Sequence, residues 1–394
     1  MVIGDEVGIF GYADEQFIGV KEAFAANFRD RGEIGASVAV YRDGREVVNL
    51  WGGAAAPDRP WSASTLVPVL SVGKAISGLA IQILWERGQL DVNAKMSDLW
   101  PEFAANGKAD ITIHQILTHT AGLPWFPDYG EIASFDAPEN FGRTSDIYAA
   151  LADAPPVWEP GTRAGSHSIT IGWLHAAIVQ RVCGRSLRQF AAEEIAAPLG
   201  ADLWFGLTAD QDARAAIATA DQVQDSPEVR KKVNPDTWPG RTLFLGWETP
   251  PGSALERAVN NTGFRRAEVP AANMFATADG LARVFGALAN GGVYDGVRLA
   301  SPEGVRMFSA ERHNGSDAIF PTSVRHSYGY ILPRRGEMEF GPNLESFGHP
   351  ARSGAIAFAD PIARIGFAYL PSKQNTGYRA DPRAEALIKA VYAG

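Results

Sequence analysis

The chain has 394 residues, 46% of them hydrophobic and 21% charged, which excludes a disordered or fibrous protein and allows more than one packed lobe. Its formal charge of −9, from 36 basic and 45 acidic side chains, argues against nucleic acid or an anionic membrane as partner, because both are bound through basic patches. The single cysteine, Cys183, excludes an intrachain disulfide. Met1–Glu6 is acidic and has no apolar signal core, and no apolar run reaches membrane-spanning length. The expectation is a cytoplasmic protein.

Glu15–Asp30 has the apolar spacing of an amphipathic helix. Gly35–Tyr41 and Glu46–Trp51 read as strands, joined by the hairpin signal Asp43-Gly44. From Ser71 onward the pattern turns helical: Lys74–Arg87, Met96–Leu99, Ile113–Thr118, Ser145–Ala152, Thr170–Val182 and Ser186–Ala197, the last opening on a capping pattern, Ser186 to Gln189. Residues 204–272, rich in tryptophan and proline, read as long loops, and Thr277–Ala289 as a helix. Ser327–Leu332, Gly354–Ala359 and Ala363–Leu370 read as strands, and Asp381-Pro382 as the start of a last helix. Strands at both ends with helices between predict an α+β protein. Residues 1–70 and 295–394 would form an α/β domain with one antiparallel sheet, and 71–294 a mainly helical domain, with a site between them.

The chemistry centres on Ser71-Val72-Gly73-Lys74. Residues i and i+3 share a helix face, so the hydroxyl and the amine point the same way. At a helix start Ser71 would lie at the positive end of the macrodipole. This is the S-x-x-K spacing of serine acyl-transfer enzymes; Ser71 as a plain N-cap explains the same residues. His114 and His119 read as structural histidines, since no carboxylates complete a metal site. Ser166-His167-Ser168 clusters three hydrogen-bonding side chains ahead of Thr170, itself a candidate N-cap. His167 could act as a base but has no carboxylate beside it. Around His349, Gly348 and Gly354 permit close approach of a ligand to backbone, and a strand there could donate an oxyanion N–H; a turn into a strand is the plainer alternative. No Gly-x-Ser-x-Gly elbow, dinucleotide fingerprint or Walker pattern occurs, so no nucleotide cofactor is expected.

In order, these segments resemble one superfamily of serine hydrolases: class C β-lactamases, penicillin-binding proteins and family VIII carboxylesterases. Ser71–Lys74 is similar to its S-x-x-K motif, and Gly88–Asp91 with Ile113–Leu123 to the region downstream. Pro160–Arg163 and the Thr170 helix stand where the second motif lies, and Asn273–Gly292 where a late helix lies. Gly348-His349-Pro350 stands where β-lactamases carry Lys-Thr-Gly and many esterases a His or Trp version. Two residues depart from the pattern. Ser166 occupies the position of the second-motif tyrosine, and Ala351 that of a third-motif glycine.

The resemblance implies a β-lactamase/penicillin-binding-protein-like fold, no cofactor, and hydrolysis of a small-molecule ester through an acyl-enzyme on Ser71 with Lys74 as base. Working near pH 7 would require Lys74 to fall from about 10.4, at a cost of about 4 kcal/mol, which burial can supply; Lys74 should therefore be buried. Ser166 either relays a proton or marks a replaced tyrosine that impairs turnover. The oxyanion hole would combine the Ser71 N–H with one after His349, near Arg352. Trp125, Phe126, His167, Trp238 and Trp247 are candidates for the substrate pocket, with core packing as their alternative role. A β-lactamase or D-Ala-D-Ala peptidase, an acyltransferase, and an inactive ligand-binding relative stay open, as does a homo-oligomer.

Overall fold

The computed structural model describes residues 8–220, 234, 236–244, 251–375 and 381–394. Its main sheet is built from β1 (Ile9–Ala13), β2 (Gly35–Arg42), β3 (Arg45–Ala56), β4 (Phe347–Pro350), β5 (Ile356–Asp360) and β6 (Ile365–Pro371). The strand order is β1-β3-β2-β6-β5-β4, antiparallel throughout. Asp43 and Gly44 have φ of 54° and 74°, the left-handed pair that a tight two-residue hairpin between β2 and β3 needs. The seam between the chain's two ends is the β2–β6 pair, with Ala39 opposite Ala368 and Val40 opposite Phe367. Both strands are buried almost throughout, which is why they read as continuous apolar runs.

The helices that flank the sheet and carry the site include α1 (Ile18–Asp30), α2 (Val72–Glu86), α3 (Thr170–Cys183), α4 (Ala278–Ala289) and α5 (Pro382–Val391). α1 and α5 share a core with one sheet face, through Phe24, Val40, Phe358, Phe367 and Leu387. A second core runs from the other face through α4 into the helical body around α2 and α3. Every residue of α2 from Val72 to Leu84 is buried, so this helix is enclosed on all sides. α5 begins as expected: Pro382 is its first residue and the Arg383 N–H donates to Asp381 Oδ1 at 2.9 Å. No helix among the described residues is long and apolar enough to cross a membrane.

Three expectations change. Ser327–Leu332 is not a strand: Gly329, at φ 82°, turns the chain, and a single bridge joins Ile331 to Gly348. A Cβ on Gly329 would lie 2.8 Å from Gly78 Cα, so this turn is pressed against α2 where only glycine fits. Its neighbours form a hairpin instead, His313–Ser316 with Ser323–His326. Within 204–272, helices occupy Pro251–Asn260 and Thr262–Arg266; residues 221–233 lie outside the described set. Thr170 does not cap α3; its hydroxyl donates to the Leu123 carbonyl at 2.7 Å.

Candidate active site

The segment before α2 places Ser71. Val67–Pro68 pairs with Met274–Ala276, and the Val69 N–H donates to Met274 O at 2.8 Å. Leu70 then adopts φ 45°, a left-handed conformation that a branched side chain rarely takes and that concentrates at functional sites. Ser71 follows as the N-cap, yet its backbone is already helical (φ −62°, ψ −15°) and its side chain makes no capping bond. The N-cap alternative therefore fails. Lys74 Nζ lies 3.0 Å from Ser71 Oγ. Glycine at 73 is required, since a Cβ there would stand 2.2 Å from Pro270 O. The Ser71 N–H lies among the first helical donors, which have no intrahelical acceptor.

Lys74 is buried, with 9% of its surface exposed. Burial lowers its ammonium pKa to about 8. Four buried histidines share a small cavity with it: His119, His175, His326 and His349. Burial is the first cause in each, lowering His175 to about 3 and His326 to about 4, with His119 and His349 held well below the usual range. Nearby Lys74 adds to the shift in all four. The site thus encloses one amine among neutral imidazoles.

The second-motif residues are placed differently from the expectation. Ser166 is held by Asp317: its hydroxyl and its N–H both donate to that carboxylate. Asp317 also accepts the N–H groups of Ile319 and Phe320, at 2.7 and 3.0 Å, so it staples the hairpin loop onto residue 166. His167 is no base. Its Nε2 accepts from the Leu123 N–H at 2.8 Å and its Nδ1–H donates to Gly165 O at 2.7 Å. It is fully buried. His119 and His114 are structural too: His119 Nδ1 accepts from the His167 N–H at 3.1 Å, and His114 Nδ1 pairs with Tyr328 Oη at 2.6 Å.

At the third motif, His349 Nδ1–H donates to its neighbour Pro350 O at 2.6 Å. Pro350 has no N–H, and the Ala351 N–H is spent on Ala355 O at 2.7 Å. Arg352 follows in a turn, beyond the end of β4. Among the aromatic candidates, Phe126 is core, packed on Tyr129 and Trp173. Trp125 and Trp238 are only partly buried and share the Arg241 guanidinium, 5.9 and 5.6 Å from their ring centres. Trp247 lies outside the described residues.

Sequence reasoning missed Asp317, Ser77, His175 and His326. Ser77 Oγ donates to Lys74 O at 2.9 Å and lies 2.8 Å from His175 Nδ1. The available signal for His175 was a lone histidine in the apolar run Thr170–Val179.

The chain is similar to known proteins over nearly its whole length. The Beta-lactamase family model matches residues 21–391. The Esterase/beta-lactamase LipL of Mycobacterium tuberculosis is 31% identical over 379 residues, 93% of this chain and 83% of that protein. A crystal structure of a family VIII carboxylesterase is 35% identical, with a TM-score of 0.86 over 98% of this chain and 99% of its own. A penicillin-binding protein homologue from Caulobacter crescentus, also 35% identical, superposes with a TM-score of 0.83 over the same shares.

Proposed function

The chain belongs to the beta-lactamase family, and from that premise we propose that it is a serine carboxylesterase that hydrolyses small carboxylic esters through an acyl-enzyme on Ser71. The observation that carries the reading is the 3.0 Å approach of Ser71 Oγ to Lys74 Nζ, with the amine buried and its pKa lowered to about 8. At that value a fraction of Lys74 is a neutral amine near pH 7, able to accept a proton. The similarity to proteins named as esterases supports the same class.

The steps follow from these groups. Neutral Lys74 takes the Ser71 proton as Oγ bonds to the ester carbonyl carbon, and the carbonyl electrons move to oxygen. The Ser71 N–H and a donor near Arg352 receive that oxyanion. Collapse breaks the bond to the alcohol oxygen, which takes the proton from Lys74. Water then attacks the acyl carbon, giving a proton to Lys74, and the acid leaves as the proton returns to Ser71 Oγ. Trp125 and Trp238 wall the pocket. The absence of Lys-Thr-Gly at 349–351 favours esters over β-lactams.

Incubation with p-nitrophenyl acetate, followed by intact mass, tests this. The expected result is an acetyl adduct on Ser71, lost in Ser71→Ala, with ester turnover faster than that of a chromogenic cephalosporin. An unmodified protein and no turnover would overturn the reading in favour of an inactive binding protein.

A further inference from the structure

A neutral amine has one lone pair and two N–H groups. For Lys74 to receive the serine proton, its lone pair must face Ser71 Oγ, so its N–H groups must point elsewhere, and a partner for one of them fixes that orientation. The second-motif hydroxyl cannot serve, because Ser166 is held by Asp317. The cavity beside Lys74 is lined by the four histidines, Ser327 and Tyr330 and has a volume of about 10 Å³, room for about one water molecule.

The hydrogen bonds determine which imidazole nitrogens keep a lone pair. Ser77 has one hydroxyl proton, and it goes to the Lys74 carbonyl. His175 Nδ1 must then be the donor in its 2.8 Å contact with Ser77 Oγ, which leaves a lone pair on Nε2. That atom is fully buried and has no partner among the described residues. By the same reasoning His349, whose Nδ1–H is given to Pro350 O, keeps its lone pair on Nε2. His119 accepts at Nδ1 and presents Nε2–H instead. The cavity beneath Lys74 therefore has two acceptors and a donor on it, and His326 adds a further buried Nε2 with no partner among the described residues; such a polar lining orders a bridging water.

We propose that His175 is a positioning residue for the base: its Nε2 lone pair, with that of His349, accepts from one bound water that in turn accepts an N–H of Lys74, so that the amine lone pair faces Ser71 Oγ. This rests on Lys74 being the base. The arrangement keeps its state across the working range, because burial keeps His119, His175, His326 and His349 neutral. The Asp317 carboxylate acts on His167 and His326 and is itself enclosed by three backbone N–H groups, and the Glu86 carboxylate acts on Tyr330. Lys74 is then the group that titrates.

Two substitutions separate the ring's two ends. Asn at 175 can keep the bond to Ser77 but cannot reach the Nε2 position; Gln reaches it. In His175→Asn, the rate at which a fluorophosphonate modifies Ser71 should fall about ten- to a hundredfold at pH 8. The acid limb should also move to lower pH, because the lost acceptor stabilised the ammonium more than the amine. His175→Gln should recover most of the rate and the limb position. ¹³C titration of the Lys74 side chain reads the same shift without any reagent, so an unreactive Ser71 would sink the esterase reading while still deciding this one. If His175→Asn does not fold, Ser77→Ala releases Nδ1 and should move the limb the same way. A Lys74 titration unchanged in the folded variant overturns the proposal.

Discussion

Two buried cations in this molecule are treated in opposite ways. Arg383, 5% exposed, lies in the core joining α1, β6 and α5. Its guanidinium meets Glu33 at 3.1 Å, Asp381 at 2.6 Å and the Lys373 carbonyl at 2.7 Å. Burial works against its charge, and the bonds and charges of Asp381, Tyr369 and Glu33 outweigh that, so it stays ionised. Lys74 is nearly as buried but is ringed by neutral imidazoles, and burial lowers its pKa unopposed. Where the chain's ends must hold together, charge is paired; where a proton must move, the pairing is withheld.

The largest effect should come from removing the unpaired cation. Lys74→Met should lower esterase kcat by about 10³-fold or more. It should also stabilise the fold. Lys74 has a pKa of about 8 folded against about 10.4 unfolded, so at pH 7 the native state bears a cost of about 3 kcal/mol. That cost is fully present below pH 8 and disappears as pH rises above about 10.4. Denaturant unfolding at pH 7 and pH 10.5 checks the sign: the gain should be clear at the lower pH and shrink at the higher. A variant less stable than the parent at pH 7 would contradict the comparison.

Arg383→Met is the converse. It strands Glu33 and Asp381 without their partner and should cost about 3–5 kcal/mol. The kcat of the folded fraction should move far less than in Lys74→Met. A third effect is the pH profile: kcat/KM should rise with pH through about 8, where Lys74 loses its proton. A limb near 5 would assign the base to a carboxylate. The smallest effect is expected of Ser166→Ala, which removes one of several donors to Asp317. Stability should fall by about 1 kcal/mol and kcat by less than tenfold; a hundredfold loss would restore Ser166 to a proton-relay role.

The parts of this structure that were legible in sequence are those written locally. Ser71 and Lys74 are three residues apart on one helix, and β2, β3 and β6 are continuous apolar runs. β1 was missed because three of its five residues are exposed, so it carries no burial pattern to read. The environment of Lys74 could not be seen in the same way. Asp317 meets Ser166 across 151 residues and His175 meets Ser77 across 98, and no periodicity records such pairs. Phe126 and His167 mislead for a related reason: residue type suits a pocket wall, and only packing shows that both are interior.

The seam between β2 and β6 has a consequence for biosynthesis. Residues 35–42 find their partner only at 365–371, so during translation the apolar β2–β3 hairpin waits for nearly the whole chain with one edge open. The helical body around α2 can collapse first, from contacts nearer in sequence. Until β4–β6 arrive, the nascent protein exposes a strand edge of the kind that recruits other chains, and the nucleophile stands without the strand that carries His349. Completion of the sheet and assembly of the site are therefore one late event.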